Sequence, residues 1–180
     1  GLAPDVCIMP VKVLDQNGSG TVARIADGIA YAVANGAHVI NMSLGIDARD
    51  GYREGDVPSW DEQINNAHAQ GVVVVAAAGN ENHPDNVSYP AIHPNVIAVG
   101  ATGINNEKAG YTNRGEGLDI YAPGGDGNHG VVQEVYCVLP ACNLPQYQNR
   151  WILVGLQGTS SMLSTCHVLL CSLCFCSVLT

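Results

Sequence analysis

The chain is 180 residues long, 47% hydrophobic and only 13% charged, with a formal net charge of −9. That length suits one domain with a real core, and the apolar fraction excludes a disordered tail. The acidic balance argues against a nucleic-acid partner, which calls for a basic patch.

Residues 6–14 (Val-Cys-Ile-Met-Pro-Val-Lys-Val-Leu) read as a strand that ends in a Gly-rich turn at Asp15 to Gly20. Val22, Ile25, Ala26, Ile29, Ala30 and Val33 recur at helical spacing, with Thr21 as N-cap and Gly36 as the stop. Val39 to Met42 is the next strand. Pro58 suits the first turn of a second helix, whose inner stripe is Trp60, Ile64, Ala67 and His68. Val72 to Ala78 is a continuous apolar run and reads as a strand covered on both faces. Asn95 to Ala101 gives another strand, and Leu118 to Tyr121 a weaker one.

This alternation predicts an α/β domain with a mostly parallel sheet. Ligands bind such sheets at the carboxyl ends of the strands. The loops after Met42, Ala78 and Tyr121 are therefore the ones expected to carry function. Residues 126–157 read as an irregular insertion. Residues 151–180 read as a buried core helix and not a membrane span, because His167 and several Ser and Thr residues interrupt the apolar run.

Cys7 stands alone, Cys137 and Cys142 share a loop, and Cys166, Cys171, Cys174 and Cys176 crowd the end. Seven cysteines cannot all pair internally. The last group reads as small buried hydrophobes and not as a metal site. Gly1-Leu2-Ala3-Pro4-Asp5 has neither the basic start nor the apolar run of a signal peptide. The chain is expected to be a piece of a longer protein.

Two strings stand out chemically. Ala76-Ala77-Ala78-Gly79-Asn80 lies at the exit of the most apolar strand, where an Asn amide can point into a crevice. Taken alone it is a plain Gly-Asn turn. Gly158-Thr159-Ser160-Ser161-Met162 precedes a stretch that can be helical, so backbone N–H groups would surround a Ser there. Taken alone it is an N-cap.

Together and in order, GLAPDVCIMPVKVL, AHVINMSLG, GVVVVAAAGN, SYPAIHPNVIAVGA, DIYAPG and GTS resemble the subtilisin-like serine peptidases. The resemblance is dense over residues 1–125 and returns at residues 157–168. It implies a three-layer αβα fold, incomplete here, and a serine endopeptidase acting on polypeptides. Ser160 would be the nucleophile, with Ser161 as the alternative, and Asn80 would donate its amide to the oxyanion beside the nucleophile's own N–H. (An Asn of this family is a standard worked example of such a donor.) Ser43, Leu44 and Gly45 would pair with an extended substrate as an added strand. Ala77, Ala78 and Gly79 would line the main specificity pocket, with room for a large apolar group, and Tyr89, Pro90 and Ala91 would lie near its base.

The resemblance also implies that no cofactor is needed for chemistry. It offers one structural calcium site, built from the carbonyls of Ala91, His93 and Val96. It implies a secreted or extracytoplasmic protein, with no membrane or nucleic-acid partner. The departures are equally specific. The family's Asp and His-Gly-Thr-His motifs are absent, and none of the six histidines stands in a matching context. An upstream part of the same protein is expected to supply both, so this chain alone is expected to be inactive. A second Ser follows Ser160, Cys166 stands in place of a Pro, and His167 arrives two positions late. The competing expectation is a non-catalytic relative that holds extended peptide without cutting it. A nucleotide-binding module is disfavoured, because no G-x-G-x-x-G follows the first strand.

Overall fold

The computed structural model describes residues 6–136, 151–156, 158 and 176–179. Five strands and two helices follow the expected order: β1 (Ile8–Val11), α1 (Val22–Ala34), β2 (Val39–Met42), α2 (Pro58–Ala69), β3 (Val73–Ala77), β4 (Val96–Thr102) and β5 (Ile120–Pro123). Three further strands are β6 (Val131–Tyr136), β7 (Trp151–Leu156) and β8 (Cys176–Leu179). Six strands form one parallel sheet in the order β1-β8-β2-β3-β4-β5.

Local chemistry sets the helix ends. Thr21 is extended, and its hydroxyl accepts the Arg24 amide at 3.2 Å. Asn35 closes α1, and Gly36 follows at φ 81°, a value that favours glycine. Pro58 opens α2, where its missing N–H costs nothing.

Both helices pack on one sheet face. Ile25, Ile29, Ile64 and Ala67 join Ile40, Met42, Val74 and Ala76 in one buried cluster. Each large aliphatic side chain buried there contributes about 1.5–3 kcal/mol. Trp60 ties the helices together by donating its Nε1–H to the Val22 carbonyl at 2.7 Å. The opposite face carries Val39, Val75, Val99, Ala101 and Ala122, with Ala109 packed on them. Val73 is half-exposed at its strand's start, and the rest of β3 is buried, as the continuous apolar run predicts.

Three expectations need correction. His68 is exposed in the last turn of α2, and Asp61 takes a buried place instead. Asp61 can be buried because the Gly55 amide and the Tyr89 hydroxyl both donate to its carboxylate. The stretch read as irregular contains the antiparallel pair β6–β7, in register from Val131↔Leu156 to Tyr136↔Trp151. Val-Val and Trp-Ile-Leu-Val are strong strand formers, and the Pro-rich segment between them hid the pairing. Residues 151–156 and 176–179 are therefore strands, where a core helix was expected. The remainder of that proposed helix lies outside the described residues.

Candidate active site

A parallel sheet brings the exits of β2, β3, β4 and β5 to one end. Met42 is paired with Ala76, Ala77 with Val99, and Thr102 with Pro123. The loops after these strands form the site.

The loop after β2 runs through Ser43, Leu44 and Gly45 and is clamped at Ile46. Ile46 donates its amide to the Tyr89 carbonyl at 2.7 Å, and Tyr89 returns its own amide to Ile46 at 3.1 Å. Gly45 has to be small, because a Cβ there would lie 2.8 Å from the Tyr89 carbonyl oxygen. Asp47 then accepts from the Arg49 side chain and amide, and the guanidinium holds its carboxyl down at about 2.

The loop after β3 turns at Gly79, φ 101°, where a Cβ would overlap the Asn113 carboxamide and the Ser88 hydroxyl. Asn113 is wholly buried and organises this loop. Its Oδ1 accepts the amides of Glu81 (3.1 Å) and His83 (2.8 Å). Its Nδ2 donates to the Ala78 carbonyl (3.0 Å) and the Glu81 carboxylate (2.6 Å). Asn80 is carried between these anchored positions and is solvent-exposed. Sequence reasoning missed Asn113. The visible signal was an Asn in a polar loop, with nothing local to mark it.

Leu44, Gly45, Asp47, Ala77, Gly79, Asn80, Glu81 and Ser88 together line a cleft of about 210 Å³. Ser43, Leu44 and Gly45 also face a second hollow toward Trp60. So Leu44, Gly45, Ala77, Gly79 and Asn80 come together as one wall system. Ala78 is fully buried behind it. Tyr89, Pro90 and Ala91 are buried and do not line the cleft. Tyr89 stacks on Trp60 with centroids 5.6 Å apart, and the Tyr89–Pro90 peptide is cis. Burial and the bond to Asp61 hold the Tyr89 phenol far above its ordinary range.

His93 lies beside Asp61, its side chain sealed from solvent. Its Nδ1 accepts the Asn95 amide at 3.1 Å, which assigns the proton to Nε2. Nε2 lies 3.8 Å from both the Glu54 and Asp61 carboxylates and has no hydrogen-bond partner among the described residues. Desolvation pushes its pKa down, against the pull of the two carboxylates. The His93 carbonyl accepts the Val96 amide at 2.9 Å. Among the described residues no His, Cys, Asp and Glu cluster fits a metal ion.

Ser160 and Ser161 lie outside the described residues. Gly158, two positions before Ser160, is described and buried. Its amide meets the Gly124 carbonyl at 3.2 Å and the Tyr111 hydroxyl at 3.1 Å, at the exit of β5. Gly158, the first residue of the GTS string, is thus held at the same sheet end as the loop that bears Asn80. Among the described residues no helix is long and apolar enough to cross a membrane.

Residues 1–176 match the family model described as the Subtilase family. Alkaline elastase YaB of Bacillus sp. (strain YaB) is 46% identical over 124 residues, covering 69% of this chain and 31% of that protein. Subtilisin Savinase of Lederbergia lenta is 44% identical over 124 residues, covering 69% of this chain and 43% of that protein. A solved protease of Pseudoalteromonas arctica PAMC 21717 superposes with a TM-score of 0.76 at 31% identity, over 91% of this chain and 49% of that one. The chain thus spans less than half the length of the curated relatives it matches. The α/β fold with its parallel sheet is the subtilisin-like three-layer αβα fold. The chain belongs to the subtilase family of subtilisin-like serine peptidases.

Proposed function

We propose that the protein containing this chain is a serine endopeptidase that hydrolyses peptide bonds in extended polypeptides. Ser160 attacks the scissile carbonyl, with Ser161 as the alternative nucleophile. Asn80 and the nucleophile's own N–H receive the oxyanion. Ser43, Leu44 and Gly45 pair with the substrate main chain. A Ser hydrolase of this kind needs a base and an orienting acid, which the upstream part of the same protein supplies. This chain by itself is inactive.

The observation that carries this reading is the anchoring of the Asn80 loop and of Gly158 at one sheet end. The Asn80 loop is fastened through Asn113, and Gly158 is fastened at the β5 exit. An oxyanion donor and a nucleophile must be held in fixed relation before reaction.

No group beyond these side chains is needed for the hydrolysis. A calcium ion held by the carbonyls of Ala91, His93 and Val96 would have a structural role, stiffening the turn that the Val96–His93 bond already closes. The family resemblance supports a secreted or extracytoplasmic protein.

The test is Ser160→Ala in the full-length protein, with Ser161→Ala beside it. Loss of peptide turnover and of fluorophosphonate labelling in Ser160→Ala alone is the expected result. Full activity in both variants overturns the reading. Tight peptide binding with no turnover by the unaltered protein assigns it instead to the non-catalytic peptide-binding class.

A further inference from the structure

Tyr111 sits in the segment between β4 and β5 and touches both halves of the site. Its main-chain carbonyl accepts the Asn82 amide at 2.7 Å, two residues beyond Asn80. Its hydroxyl accepts the Gly158 amide at 3.1 Å, two residues before Ser160. The same hydroxyl lies 2.9 Å from the carbonyl oxygens of both Gly124 and Gly125.

A phenol has one proton to give and lone pairs to accept with. Gly158 donates into the oxygen, so the phenol's own proton goes to the two carbonyls. All three partners are main-chain groups, and they fix the ring's position rather than merely fill space. Tyr111 is itself fixed. Ala109 donates to the Ala101 carbonyl at 2.8 Å, Thr112 accepts the Ala101 amide at 3.0 Å, and Asn113 donates to Gly79 at 3.0 Å. Burial raises the Tyr111 pKa, the Gly158 amide opposes this, and Asp126 adds to it. The net effect keeps the hydroxyl protonated, as the donor role demands.

We infer that Tyr111 is a positioning residue that ties the loop bearing Asn80 to Gly158, two residues before the proposed nucleophile. Two residues of chain reach about 7 Å at most, so a shift at Asn82 or Gly158 is felt at Asn80 or Ser160. The inference rests on the nucleophile and oxyanion roles proposed above. A phenylalanine would keep the ring and lose the link.

The test is Tyr111→Phe in the full-length protein. The expected result is a fall in kcat of about tenfold, as losing one buried hydrogen bond made to a reacting segment would give. KM stays within about twofold, and labelling by a fluorophosphonate slows in parallel with kcat. Hydrogen exchange at the Gly158 amide quickens, a readout that needs no activity. Unchanged exchange at Gly158, or a loss carried by KM, overturns the inference. If Tyr111→Phe lowers Tm strongly, fluorinated tyrosine at position 111 keeps the shape. The alkaline limb of kcat then moves to lower pH, and an unmoved limb overturns the inference. Ser160→Ala separates the two readings. If it abolishes labelling while Tyr111→Phe labels at the normal rate with unchanged exchange, the nucleophile stands and the link falls.

Discussion

Asn113 accepts the main-chain amide of His83 on its side-chain oxygen, 2.8 Å away and thirty residues distant in sequence. The same oxygen holds the Glu81 amide, and the same carboxamide nitrogen holds the Ala78 carbonyl. One buried side chain thus replaces the regular hydrogen bonds that the loop after β3 cannot make for itself. Asn113→Ala leaves two amides and a carbonyl without their partner. The expected cost is about 3 kcal/mol, since orphaned buried groups each carry a desolvation penalty. Denaturant unfolding of the full-length protein measures it. A loss under about 0.5 kcal/mol would mean that water replaces the carboxamide. Peptide turnover should fall as well, because the segment bearing Asn80 loses its anchor.

The cleft beside Asn80 carries two carboxylates, Asp47 and Glu81. Arg49 already neutralises Asp47. Glu81 accepts from the Asn113 amide at 2.6 Å and lines the cleft. The glycine-walled pocket alone suggested a large apolar group. A carboxylate there is expected to favour a Lys or Arg substrate side chain at that position. Glu81→Gln should lower the kcat/KM ratio of a Lys substrate to a Leu substrate by about fivefold, the scale of one exposed ion pair. An unchanged ratio would show that Glu81 does not reach the bound side chain.

Gly45 faces the Tyr89 carbonyl oxygen at a distance that leaves no room for a side chain. Gly45→Ala forces the Ile46–Tyr89 pair apart and moves the segment meant to bind the substrate main chain. The expected result is a raised KM, with a stability loss of about 1–2 kcal/mol from overpacking. Kinetics with a peptide long enough to span Ser43 to Gly45 would show it, and a shorter ester substrate should be less affected.

The central strands β2, β3 and β4 were legible because they are almost wholly buried and therefore written as apolar runs, whereas β8 was not legible as a strand. Helix α1 was legible from Thr21, its apolar period and Gly36. The cleft wall was legible only through family resemblance, since Gly79-Asn80 by itself is an ordinary turn. Asn113 and Tyr111 were not legible. Most of their partners are main-chain groups brought near by folding, and main-chain groups leave no mark in sequence. The burial of Asp61 was not legible either, because a carboxylate is normally solvated. Only the contact with Tyr89 and Gly55 explains its burial. The hairpin β6–β7 was hidden for the opposite reason: its strands are clear, but nothing local says that segments fifteen residues apart pair.

His93 gives the last prediction. Its imidazole is sealed from solvent, with Nε2–H facing Glu54 and Asp61 at 3.8 Å and the Tyr89 hydroxyl bonded to that same Asp61. His68 is the further charge that bears on it, opposing protonation. Burial lowers the folded-state pKa below the ordinary value of 6.5. As pH falls through 6.5, the unfolded chain takes up a proton at this residue and the folded chain does not. Stability from this group is therefore complete above 6.5 and declines below it, until the folded pKa is reached. His93→Gln keeps an acceptor for the Asn95 amide and has nothing to titrate. Unfolding free energy measured from pH 7.5 down to pH 5, at about half-unit steps, should show a shallower slope for the variant, smaller by up to one proton. Equal slopes would mean that His93 protonates as readily folded as unfolded, with the Glu54 and Asp61 carboxylates outweighing its burial.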